Sequence, residues 1–142
     1  MTRLTIIARA VAAETGVPVA DILSKRRSRP VTRARHMAWA IAVDLTELSF
    51  PQIARGFGGV HHTSVIDGVQ RARARIAAEP DFRRAYTIAR ERAAANLKNR
   101  DDATETGRII AEMVSQYEAK LRIMAQNRPA VFVERFQNVV TG

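Results

Sequence analysis

The sequence predicts an all-α fold, on three observations. Alanine and arginine, both good helix formers, dominate the chain. No run alternates β-branched and polar residues between hairpin turns. Successive segments instead space their apolar residues by three and four, between residues that start or stop helices.

The first helix starts after Thr2 as N-cap, lines up Leu4, Ile7, Ala8 and Val11, and ends at Gly16. A short second helix is expected over 18–24. A third, with Pro30 in its first turn, should run to about Thr46 and bury Val31, Met37, Ala38, Ile41 and Leu45. Ser49 and Pro51 open a compact fourth helix, which Gly58 and Gly59 stop. The fifth begins near His61 and lasts to about Ala78, where "EPD" breaks it, and a sixth is expected over 81–98. The polar stretch "NRDDATETGR" predicts a linker or helix boundary. Two domains are therefore expected: residues 1–99, and a C-terminal helical extension over 100–142. In the extension Ile110, Val114, Tyr117, Leu121 and Met124 form a heptad-like seam, and Pro129 restarts a short apolar helix, "AVFVERFQNVV".

Charge narrows the partners. Residues 1–100 hold 18 Lys and Arg against 8 Asp and Glu, whereas residues 101–142 hold 5 against 6. The net charge of +9 thus belongs to the first hundred residues and points to a polyanion. Six basic residues and no acid fall between Lys25 and Arg35. The apolar runs are short and interrupted, so no membrane span or signal peptide is expected, and the expected location is the cytoplasm, at the nucleoid. With no cysteine there is no disulfide, thiolate zinc site or thiol nucleophile.

Residues 49–75 pair two helices across a glycine-containing turn, the grammar of a helix-turn-helix. In that motif the start of the second helix meets base edges in the major groove. His61, His62, Thr63 and Ser64 suit that position, as imidazole and hydroxyl groups bond base edges and a threonine methyl packs on thymine. Arg71 and Arg75 share a face of the same helix, with Arg73 turned away.

The stretch "GFGGVHHTSVIDGV" resembles the F-G-G-R-D-H-T-T-V signature of the C-terminal DNA-binding domain of DnaA, the bacterial chromosomal replication initiator. The likeness extends back without a gap through "VADILSKRRSRPVTRARHMAWAIAVDLTELSFPQIARGFGG" and covers roughly residues 3–97. It implies a Trp-repressor-like helix-turn-helix that binds duplex DNA. By the resemblance, His62, Thr63 and Ser64 face the major groove and Arg27 enters the minor groove. Arg35 and His36 match backbone-contacting positions, with Lys25 and Arg26 adding phosphate contacts. The departures are His61 in place of an aspartate, Val60 and Val43 in place of basic residues, and Ser64 in place of threonine.

No G-x-x-x-x-G-K-[ST] occurs, so a free-standing reader without a nucleotide-driven motor is expected. No metal or other cofactor is expected: adjacent helical residues such as His61 and His62 point about 100° apart, and no H-E-x-x-H pattern supports them. No enzyme is expected either, because Thr63 and Ser64 lack a base and an orienting acid in nucleophilic geometry. The expected function is sequence-specific binding of double-stranded DNA in the control of replication or transcription. The alternatives are a protein-interaction module that antagonises an initiator or polymerase, and a non-specific architectural binder. Residues 105–126 either pack on the domain's own helices or form a homodimer.

Overall fold

The computed structural model describes residues 1–126. It contains α1 (Arg3–Thr15), α2 (Val19–Ile22), α3 (Arg29–Leu45), α4 (Phe50–Gly56), α5 (His62–Ala78) and α6 (Pro80–Gln126), and no strand among the described residues. The backbone divides into two units, Met1–Asn99 and Arg100–Gly142. The apolar helix expected after Pro129 lies outside the described residues.

Local signals set most boundaries. Thr2 caps α1 by accepting the Thr5 N–H at 3.2 Å, and Gly16, at φ 74°, closes it by donating to the Ala12 carbonyl. Ser49 and Gln52 form a capping box at the start of α4. Ser28 is the N-cap of α3, and Pro30 sits in its first turn.

Helix α3 is the centre of the first unit. Residues 34–42 are buried on every side, as expected of a helix that neighbours cover all round. Against it pack α1, α2 and α5, and α4 packs on α5. Trp39 and Phe57 lie in this core, edge to face with ring centroids 6.0 Å apart. Leu45, expected in the core, is only half-buried because it ends the helix.

Helix α6 adds Phe82, Tyr86, Ala89, Ala93 and Leu97 to the core, a stripe spaced by three and four. Asp44 ties α3 to two other helices: it accepts the Tyr86 hydroxyl, pairs with Arg73 at 3.0 Å and lies 3.7 Å from Arg90. Burial, and then the Asp44 carboxylate, push the Tyr86 phenol up to about 12.

The expected linker at 99–108 is instead helical, part of an unbroken α6. No proline interrupts it, and its one glycine, Gly107, costs only about 1 kcal/mol relative to alanine. Thr104 bonds back to the Arg100 carbonyl, and Glu105 pairs with Arg108 at 2.7 Å, supporting the turn locally. Beyond it Ile110, Val114, Tyr117 and Met124 are exposed, as are Ile109, Met113 and Ile123. No helix of the described residues is long and apolar enough to cross a membrane.

Candidate nucleic-acid interface

The turn between α4 and α5 spans residues 57–61. Buried Phe57 anchors it, and Gly58 and Gly59 turn the chain at φ 80° and 73°, conformations that favour glycine. At Gly58 the turn presses on the 25–35 segment. A Cβ there would lie 3.2 Å from the Ser24 carbonyl carbon and the Lys25 nitrogen.

His61 has extended backbone and caps α5, its Nδ1 accepting the Thr63 N–H at 3.2 Å. His61, His62, Thr63 and Ser64 are all exposed, while Val65, Gly68, Val69 and Ala72 face inward. The first turn of α5 is therefore free to meet a ligand. Because His61 is outside the helix, the two imidazoles do not diverge as expected of helical neighbours. They lie side by side, centroids 4.4 Å apart and planes inclined by 31°. Among the described residues no group of three or more metal-ligating side chains converges.

A groove of about 850 Å³ lies between the 25–35 segment, α3 and α5. Seven lysine and arginine side chains line it against a single carboxylate, Asp67. It brings together Lys25, Arg27, Arg35, His36, His61 and Ser64, all singled out in the sequence, whereas Thr63, His62 and Arg26 do not line it. His62 borders a neighbouring groove with Arg55 and Val60, and Arg26 folds back to Asp21 at 3.3 Å.

Arg29, Arg33, Arg71 and Arg75 complete the groove. The i, i+4 spacing of Arg29 and Arg33 at the start of α3 was the sequence signal for the first pair. Arg33 and Arg75 both lie over the Phe82 ring, with guanidinium carbons 5.6 and 6.0 Å from its centroid. Burial lowers the pKa of Arg75, and Arg33 lowers it further. Arg33 pairs with Glu79 at 2.5 Å and Arg71 with Asp67 at 2.8 Å, which still leaves an excess of cations that a polyanion in the groove would neutralise.

Arg35 and His36 sit deeper than a surface contact, at 5% and 8% exposure. Arg35 Nε donates to the Ile22 carbonyl at 3.1 Å, and one terminal nitrogen donates to the carbonyls of Asp21 and Arg26 at 3.0 and 2.8 Å. It thereby anchors the segment that carries Lys25 and Arg27. His36 Nδ1 accepts from Arg75 at 3.0 Å, so its ring carries the proton on Nε2.

Burial, followed by the neighbouring Arg75 and Arg71, pushes the His36 imidazole down to about 4, so it is neutral at pH 7. An unfolded histidine protonates near 6.5, before the folded one does. The stability that this difference supplies is present above pH 6.5 and is lost as pH falls toward 4. Between pH 7 and 5 the chain should lose about 2 kcal/mol more than its His36→Gln variant, as measured by denaturant unfolding at each pH. Parallel curves would show that His36 titrates normally.

A family model described as the bacterial DnaA protein helix-turn-helix matches residues 4–72. Among solved structures, the chain is similar to the crystal structure of a DNA replication initiation factor, at 26% identity and a TM-score of 0.58. The match covers 66% of this chain and 29% of that one, so the chain spans less than a third of that protein's length.

Proposed function

We propose, from the premise that residues 4–72 are a DNA-binding helix-turn-helix domain of the bacterial DnaA type, that this chain recognises specific duplex sites and so regulates replication initiation or transcription at the nucleoid. One observation carries this reading: the exposed start of α5 stands at the edge of a groove with seven cations and one carboxylate. The first turn of α5 enters the major groove, where His61, His62, Thr63 and Ser64 meet base edges. Arg27 reaches the adjacent minor groove. Lys25, Arg26, Arg29, Arg33, Arg71 and Arg75 neutralise flanking phosphates, while Arg35 and His36 act from beneath by holding the loop and Arg75.

About six phosphate contacts give a slope near −5 for log K against log salt, and specific binding at about 10⁻⁸ M or tighter. Selection from a random duplex pool should recover a motif. Thr63→Ala should relax that motif at one or two base pairs, whereas Arg27→Ala should lower affinity about tenfold and leave the major-groove positions unchanged. Equal losses on every sequence in both variants would refute the groove assignment. Salt-dependent binding without any enrichment would point to architectural binding instead.

A second copy of the chain is the partner proposed for residues 105–126. The seam Ile110, Val114, Tyr117, Leu121 and Met124 follows the heptad spacing, and all of it but half-buried Leu121 is exposed. Sedimentation equilibrium should find a dimer that Tyr117→Glu converts to monomer; a monomeric wild type would refute it.

A further inference from the structure

His61 is locked as a hydrogen-bond donor. Its Nδ1 accepts the Thr63 backbone N–H at 3.2 Å, so that nitrogen carries no proton. The Thr63 hydroxyl, 2.7 Å from the same nitrogen, must therefore donate to it. In the neutral ring the proton is left on Nε2. The His62 ring packed alongside restricts rotation of the His61 plane. An exposed histidine ordinarily exchanges tautomers and can offer a base either a donor or an acceptor. Here the cap removes that choice, and one outward N–H remains at the junction of the two grooves that His61 borders.

We infer that His61 determines specificity at one base pair, favouring guanine over cytosine on the strand it faces. This rests on the major-groove reading above. In that groove guanine presents two acceptors, O6 and N7, and cytosine presents only the N4 donor. A locked donor meets the first and leaves the second unpaired. Thr63 is coupled to the same choice: with its hydroxyl proton given to His61, it offers DNA its oxygen lone pairs and its methyl group.

Three side chains separate the chemistry from the cap. Asparagine and aspartate both cap helices well, so neither His61→Asn nor His61→Asp should unfold α5. Asparagine caps through its carbonyl oxygen and keeps an N–H outward, as histidine does here. Aspartate caps with one oxygen and turns the other outward as an acceptor, which suits cytosine N4 or adenine N6.

The experiment is selection from a random duplex pool with wild type, His61→Asn and His61→Asp in parallel. Thermal unfolding of all three confirms that the cap survives. Wild type and His61→Asn should enrich guanine at the same position, roughly fivefold over cytosine, the ratio expected for one hydrogen bond. His61→Asp should reverse that ratio and leave the other positions as they were. A motif that the aspartate leaves unmoved, or a guanine preference that the asparagine abolishes, overturns the inference alone. Absence of any motif in all three overturns the major-groove reading with it.

Discussion

Gly68→Ala should destabilise the chain by about 2 kcal/mol, although alanine is the better helix former. A Cβ on Gly68 would lie within 3.0 Å of two ring atoms of Trp39 and one of His36. Both rings belong to α3, and both are buried. They are rigid and lie 5.5 Å apart centroid to centroid. At such short separations from buried rings, overpacking costs about 3 kcal/mol, against the roughly 1 kcal/mol that alanine gains in helix propensity. In a domain of this size the net loss lowers Tm by roughly 10 °C, which calorimetry would detect. An unchanged or higher Tm would show that α5 has room to withdraw from α3. The glycine is thus what lets α5 lie close enough for Arg75 to reach His36.

Arg35→Met tests the anchor beneath the basic segment. Methionine keeps much of the apolar stem but leaves the carbonyls of Asp21, Ile22 and Arg26 without their shared donor. The expected loss is about 3 kcal/mol in urea unfolding, since hydrogen bonds to a charged group are stronger than neutral ones and the abandoned carbonyls stay partly buried. Affinity for the selected duplex should fall about 10–100-fold, because the segment carrying Lys25 and Arg27 would have to be ordered at the moment of binding. Arg35→Lys should fall between the two, since a single ammonium does not span three acceptors as a planar guanidinium does. Full stability with lost affinity would mean that Arg35 acts on DNA directly rather than as an anchor.

What the sequence disclosed was whatever depends on near neighbours. Thr2, Gly16, Pro30 and Ser49 mark boundaries because caps bond within one turn. The exposed first turn of α5 followed from the same kind of signal. Three features were illegible, for different reasons. The polar composition of 99–108 resembles a linker, yet nothing in it forbids a helix. The side-by-side imidazoles depend on extended backbone at His61, which residue type does not dictate. The inward task of Arg35 depends on carbonyls 9 to 14 residues away. A basic residue in a basic run looks the same in sequence whether it faces solvent or holds the chain together.

The contact between the Gly58 turn and the backbone of Ser24 and Lys25 joins the two proposed DNA-facing elements into a chelate. On the proposed reading, once the first turn of α5 has engaged one groove, the basic segment meets its own at an effective concentration set by that junction, not by the amount of protein in solution. The gain requires no additional contact with DNA, only that the two reach their grooves together. Slackening the junction would lower avidity while every side chain proposed to touch a base or phosphate stayed the same.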